Sequence, residues 1–186
     1  MKKIFLAAML ICIALTFTAC STESSFSSET KVSVSTNNLQ DSIDAGNQNL
    51  KAGKFDDAIK NFNDAIEIDD ECIPAYNGRG IAYANKKDFD AAIKDFDKTI
   101  KLDAKNAEGY SNRGQAYADK GDTQKALDDF NRAIELDPKY ANAFNNRGAL
   151  YANAGDTDKA AADFKKAVEL DPTDKSAAEN LKKLTT

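Results

Sequence analysis

Apolar and small side chains recur along this chain at a fixed interval of 34 residues. A phenylalanine, a glycine and an alanine each keep this interval through four copies. The phenylalanines are Phe62, Phe96, Phe130 and Phe164, the glycines are Gly46, Gly80, Gly114 and Gly148, and the alanines are Ala58, Ala92, Ala126 and Ala160. Self-similarity at one fixed period is typical of a stacked array, in which each unit buries its apolar face against its neighbours.

Within a unit, the spacing of apolar residues predicts two helices joined by a turn. In the third unit, residues 107–120 have aromatic residues and a glycine at helical spacing, and Gly121 ends that helix. Asp122 is the predicted N-cap of a second helix over 123–135. Pro138 closes the unit because proline cannot continue a helix.

This pattern resembles the tetratricopeptide repeat family, with aromatic–Gly–aromatic in the first helix and small–aromatic–small in the second. The first set is Tyr76/Gly80/Tyr83, Tyr110/Gly114/Tyr117 and Phe144/Gly148/Tyr151. The second set is Ala92/Phe96/Thr99, Ala126/Phe130/Ala133 and Ala160/Phe164/Ala167. The resemblance covers residues 39–174 as four units, 39–72, 73–106, 107–140 and 141–174. It implies an all-α, right-handed superhelical solenoid of helix pairs.

The two ends of the array depart from the repeat pattern. In the first unit, Ser42 and Asn49 stand where aromatic residues belong, as is usual for a terminal repeat. After the fourth unit, residues 175–186 place Ala177, Leu181 and Leu184 on one helical face. We therefore expect a C-terminal capping helix that covers the last apolar surface.

Arginine and aspartate also recur together in the three complete units. The arginines are Arg79, Arg113 and Arg147, and the aspartates are Asp95, Asp129 and Asp163. The first unit lacks both, with Ala45 and Asn61 at these positions. We expect an Arg–Asp pair to join the two helices of each complete unit; the alternative is two independent surface charges.

By the resemblance, the first helix of each unit lines a concave groove. The expected groove residues are mostly amides: Asn77, Ile81, Asn85, Asn112, Gln115, Asn142, Asn145, Asn146 and Asn153. Asn and Gln offer both donors and acceptors, which suits the backbone of a bound protein segment. The alternative is ordinary solvated helix surface. The Lys or Arg residues of the family's carboxylate clamp are absent, so binding of chaperone C-terminal tails is not indicated.

The N-terminus has the pattern of an export signal. Lys2 and Lys3 precede a short apolar run that ends in small residues, which predicts a signal peptide over 1–19. The segment Phe17-Thr18-Ala19-Cys20 resembles a bacterial lipobox, which implies lipidation at Cys20. Cleavage for soluble secretion and a single membrane span are the alternatives, and the run is short for a span. The Ser/Thr-rich stretch 20–38 is predicted to be a flexible tether.

Composition limits the remaining chemistry. The 186 residues include no His, and a net charge of −5 argues against nucleic-acid binding. The acidic clusters match no calcium loop and suit helix capping instead. Once Cys12 leaves with the signal and Cys20 is modified, Cys72 is the one free thiol. We expect no enzyme activity, cofactor or metal site.

These features together predict a lipid-anchored scaffold that binds another protein outside the cytoplasm. Resemblance to lipoproteins of similar architecture suggests an envelope assembly or secretion complex as the context. The alternatives are a self-associating structural lipoprotein, in which the partner is a second copy, and a secreted protein without the lipid.

Overall fold

The computed structural model describes residues 25–185, which form helices joined by short turns and contain no strand. The helices are α1 (Ser25–Lys51), α2 (Phe55–Ile68), α3 (Ile73–Asn85), α4 (Phe89–Leu102), α5 (Ala107–Lys120), α6 (Thr123–Leu136), α7 (Ala141–Asn153), α8 (Thr157–Leu170) and α9 (Lys175–Thr185). Each helix packs mainly on the next one along the chain. The prediction of an all-α stack of helix pairs followed by a capping helix is confirmed.

Helix ends follow the local sequence signals. The Asp122 carboxylate accepts the backbone N–H of Lys125 and caps α6, as Asp156 caps α8 through Lys159 N–H. Gly121 ends α5 with φ of 94°, a left-handed conformation that glycine adopts without steric cost. The turns of the repeat are therefore set by residues that lie within the turns.

Aromatic rings fill the space between the two helices of each unit. Phe62, Phe96 and Phe130 are almost completely buried, and each ring packs on a glycine of the preceding helix. A Cβ atom built on Gly114 would lie 2.9 Å from Phe130 Cε1, which is closer than carbon atoms tolerate. Glycine is thus required at this position because the ring occupies the volume of any larger side chain.

The first helix begins earlier than predicted. The flexible tether was expected over residues 20–38, but α1 already starts at Ser25, so the prediction is wrong for 25–38. The stretch 25–38 contains no Gly or Pro, and a helix that is already nucleated by packing further along extends without a second nucleation cost. Residues 20–24, Cys20 and the signal segment 1–19 lie outside the described residues.

No helix among residues 25–185 is long and apolar enough to cross a lipid bilayer.

Candidate functional site

Each complete unit contains a bidentate Arg–Asp ion pair between its two helices. Arg113 donates from Nε to Asp129 Oδ2 at 2.8 Å and from Nη2 to Asp129 Oδ1 at 2.7 Å. Arg79 with Asp95 and Arg147 with Asp163 repeat this geometry. The aspartates are buried, so the fork of two hydrogen bonds compensates their loss of water and fixes the helix alignment.

The same arginines make a contact that the sequence analysis missed. Arg113 Nη1 donates to Asp97 Oδ1 at 2.6 Å, and Asp97 belongs to the second helix of the preceding unit. Arg79 reaches Asn63 and Arg147 reaches Asn131 in the same way. Each guanidinium therefore joins three helices. The signal was available, since Asn63, Asp97 and Asn131 also keep the 34-residue interval.

Arg113 differs from its two counterparts because both of its partners are carboxylates. Hydrogen bonding to Asp129 raises the pKa of Arg113 above its ordinary value, although burial opposes this. The guanidinium also lies over the Tyr110 ring, 5.4 Å from its centroid. This stacking is a further favourable contact for the cation.

Several expected groove residues form hydrogen bonds with polar side chains of a neighbouring helix. Asn77 Nδ2 donates to Glu108 Oε1 at 2.8 Å, and Asn112 Nδ2 donates to Asn77 Oδ1 at 2.9 Å. At the C-terminal end, Asn180 Nδ2 donates to Asn145 Oδ1, and Asn145 Nδ2 donates to Ser176. These bonds connect α3 with α5 and α7 with the capping helix α9, so Asn77 joins two units and Asn145 joins the fourth unit to the cap.

A cleft opens between α3 and α5 and brings four of the expected residues together. It encloses about 250 Å³ and is lined by Ile81, Ala84, Asn85, Phe96, Asn112, Gln115, Ala116 and Asp119. The floor is apolar and the rim has three amides and one carboxylate. Asn112, Gln115, Ala116 and Asp119 share one face of α5 because they are spaced three or four residues apart.

The residue at the floor of this cleft is smaller than its equivalent in the next unit. Ala116 is buried at its floor, whereas the equivalent position 34 residues later is Leu150. The two helices therefore differ in side-chain size at this position, with alanine in α5 and leucine in α7. The cleft residues are also chemically mixed, which suits a bound segment with both polar and apolar groups.

The remaining expected groove residues lie outside the cleft. Asn142 and Asn153 are exposed on α7, and Asn146 is half-buried on the same helix. Asn142 interacts with Tyr140, whose pKa is raised by burial. The structure thus concentrates the predicted site on α3 and α5.

Other candidate chemistry is limited in the described part of the chain. No three Cys, Asp or Glu side chains among residues 38–184 are grouped so that they could hold a metal ion. Cys72 is buried at the start of α3, and burial raises the pKa of its thiol. A raised pKa makes a thiol less reactive because less thiolate is present at neutral pH.

Sequence models of the tetratricopeptide repeat match residues 73–106 and 141–174, and a model described as a TPR repeat matches residues 114–155. The ranges 73–106 and 141–174 have the same bounds as the second and fourth predicted units. No curated protein gives a significant sequence match.

Solved structures of repeat domains resemble the chain. The TPR domain of Arabidopsis OM64 is 30% identical, with a TM-score of 0.58, over 62% of this chain and 95% of that domain. The MamA protein is 26% identical, with a TM-score of 0.63, over 79% of this chain and 80% of MamA. The first TPR of Spaghetti (RPAP3), bound to the HSP90 peptide SRMEEVD, is 26% identical, with a TM-score of 0.57, over 61% of this chain and 90% of that domain.

These neighbours support the superhelical arrangement of the helix pairs and a protein-interaction scaffold as the general role of the fold. On the sequence models and the identity to the OM64 domain, this chain belongs to the tetratricopeptide repeat family.

Proposed function

We propose that the chain is a lipid-anchored scaffold that works outside the cytoplasm and holds a segment of another protein in the α3–α5 cleft. The observation behind this proposal is the grouping of Ile81, Asn85, Asn112 and Gln115 around one cleft. Amide side chains on the rim can bond to the backbone of a bound segment, and the apolar floor can receive one of its side chains.

The cleft differs from a site for an acidic tail. The Spaghetti domain was solved with the peptide SRMEEVD of HSP90, which has an acidic end. The one charged side chain that lines the α3–α5 cleft is Asp119, a carboxylate. A carboxylate repels an acidic ligand, so we expect the partner segment to be neutral or basic.

A crosslinking pulldown with the full-length protein tests the cleft. Asn85→Ala/Gln115→Ala should reduce capture of the partner, and Ala116→Leu should block capture by filling the floor with the residue type found at Leu150. Asn142→Ala/Asn153→Ala is the matched control, because it also removes two amides of a first helix, but these two lie outside the cleft. Unchanged capture by both cleft variants would show that the cleft is not the binding site.

The membrane anchor is tested separately. Cys20→Ser should move the protein from the membrane fraction to the soluble fraction, because a multiply acylated residue is the proposed attachment. Cys12→Ser is the matched control, since this residue lies inside the predicted signal segment, and it should leave membrane attachment unchanged. If the Cys20→Ser protein stays in the membrane fraction, the lipid anchor is refuted.

Self-association is the competing outcome. Light scattering on the purified protein over a range of concentrations separates a monomer from a dimer or larger assembly. A dimer that is broken by Ala116→Leu would identify a second copy as the occupant of the cleft.

A further inference from the structure

The amides on the rim of the α3–α5 cleft are oriented by the protein itself. Asn85 Nδ2 donates to the backbone carbonyl of Ile81 at 2.9 Å, and Gln115 Nε2 donates to Asp119 Oδ1 at 3.0 Å. A carbonyl or carboxylate oxygen can only accept, so the nitrogen of each amide must face it. The side-chain carbonyl oxygens of Asn85 and Gln115 are therefore left as acceptors for a ligand.

A longer chain of bonds fixes the third amide. Asn77 Nδ2 donates to the Glu108 carboxylate, so Asn77 Oδ1 must face the other way and accept from Asn112 Nδ2. Asn112 consequently also uses a donor within the protein and keeps its oxygen. Each of the three rim amides therefore keeps its carbonyl oxygen and one of its two N–H groups for a ligand, a pattern that the sequence alone did not reveal.

The one charged side chain of the cleft, the Asp119 carboxylate, is negative, as are the partial charges of the amide oxygens on the rim. Asp119 is exposed and accepts one hydrogen bond, from Gln115 to Oδ1, and it forms no ion pair within residues 38–184. The nearby lysines are already engaged, since Lys86 pairs with Asp56 and Lys120 pairs with Asp90. The cleft is thus a site rich in acceptors, with an apolar floor and one carboxylate that lacks a cation.

We propose that the cleft selects an extended protein segment with a Lys or Arg side chain opposite Asp119 and an apolar side chain on the floor beside Ile81. This inference rests on the proposed function and adds the chemistry of the partner. Asn112 and Asp119 are two helical turns apart, roughly 10 Å. An extended chain covers this length of the rim in about three residues, so the apolar and the basic residue of one bound segment should lie within about three residues of each other.

A random heptapeptide library displayed on phage, panned on the full-length protein, tests the inference. Selected peptides should contain Lys or Arg within about three residues of an apolar residue. Asp119→Asn should weaken their binding about two- to fivefold, as is usual for an exposed ion pair, and added salt should weaken wild-type binding similarly. Asp119→Asn introduces the residue already present at the equivalent positions Asn85 and Asn153, so the fold should be kept.

The matched control is Asp158→Asn, which removes an exposed carboxylate from α8 and should leave binding unchanged. A selected peptide depends on the cleft if it loses binding to Ala116→Leu or to Asn85→Ala/Gln115→Ala. If such peptides show no preference for Lys or Arg, the inference is overturned and the proposed function stays intact. If Asp119→Asn binds the selected peptides as tightly as the wild type does, the inference is also overturned and the proposed function stays intact. If no selected peptide depends on the cleft, both the inference and the proposed function are wrong.

Discussion

Thr99 in α4 and Gly109 in α5 are a size-matched pair across the junction between the second and third units. A Cβ atom built on Gly109 would lie 2.9 Å from Thr99 Cγ2. At the other junctions the same two positions are both alanine, as Ala65 with Ala75 and Ala133 with Ala143. One side chain is larger here and its neighbour is correspondingly smaller, so the total volume is kept.

This pairing predicts strong coupling between the two positions. Gly109→Ala should lower the free energy of unfolding by about 1 kcal/mol, because the added methyl overpacks against the stiff Thr99 side chain and helix propensity offsets part of the cost. Thr99→Ala/Gly109→Ala restores the pair found at the other junctions, so it should be at least as stable as the wild type. It also removes a buried hydroxyl that has no hydrogen-bond partner.

Urea-induced unfolding followed by circular dichroism measures both effects. Ala133→Thr is the matched control, because it places the larger residue opposite Ala143 and should destabilise the protein unless Ala143→Gly is added. Effects of Gly109→Ala and Thr99→Ala that simply add would contradict the coupling.

The ion pair of the third unit gives a second prediction. Arg113→Met should lower the free energy of unfolding by about 3 kcal/mol, because it leaves the buried Asp129 carboxylate without its partner. Arg113→Met/Asp129→Leu should recover most of that loss, since no buried charge remains. Asp97→Asn, which copies Asn63 and Asn131, should cost less than about 1 kcal/mol. Denaturant unfolding measures the stability of all three variants. Equal losses of unfolding free energy in Arg113→Met and in Arg113→Met/Asp129→Leu would show that the Arg113–Asp129 pair does not fix the helix alignment.

The left-handed backbone conformation of Lys87 predicts a stabilising substitution at this position. It has φ of 64° in the turn after α3, whereas the equivalent turn positions Gly53, Gly121 and Gly155 are glycines with φ of 71°, 94° and 82°. Lys87→Gly should raise the free energy of unfolding by about 0.5–1 kcal/mol, because the left-handed conformation costs a residue with a side chain more than it costs glycine. Gly121→Lys is the reverse experiment and should destabilise. A lower unfolding midpoint for Lys87→Gly would contradict this explanation.

The helix cap at Asp156 predicts a pH dependence. Hydrogen bonds from the Lys159 side chain and backbone hold the pKa of Asp156 below its ordinary value. A carboxyl with a lowered folded-state pKa stabilises the protein above its unfolded pKa, near 4, and that stability is lost as the pH falls through the folded value. Asp156→Asn keeps a capping side chain but cannot titrate.

The Asp156→Asn variant should therefore be less stable than the wild type at pH 7, and the difference should disappear in acid. Thermal unfolding across the acidic range measures this difference. Asp122→Asn in α6 repeats the test, since Lys125 lowers the pKa of Asp122 in the same manner. A difference that stays constant from neutral to acidic pH would show that the charge of the carboxylate contributes nothing.

Features that lie inside one unit were predictable from the sequence. The 34-residue interval locates the helix pairs, the buried phenylalanines and the partners of Arg79, Arg113 and Arg147, because these contacts depend on local spacing and recur in every copy. The N-terminal end of α1 was predicted poorly. Composition at Ser25–Asn38 suggests a tether, whereas helix continuity with the packed part of α1 prevails in the structure.

Contacts between units required the tertiary structure. The 34-residue interval marks Asp97 as a repeated position, but its bond to Arg113 depends on how neighbouring helices stack, as does the bond between Asn77 and Asn112. The sequence alone determined the fold and the amide-rich face. Only the structure decided that Asn85, Asn112 and Gln115 each use a donor within the protein and surround an open cleft. Asn85 and Gln115 bond within their own helices, Asn112 bonds across the junction, and the packing of α3 against α5 brings the three together.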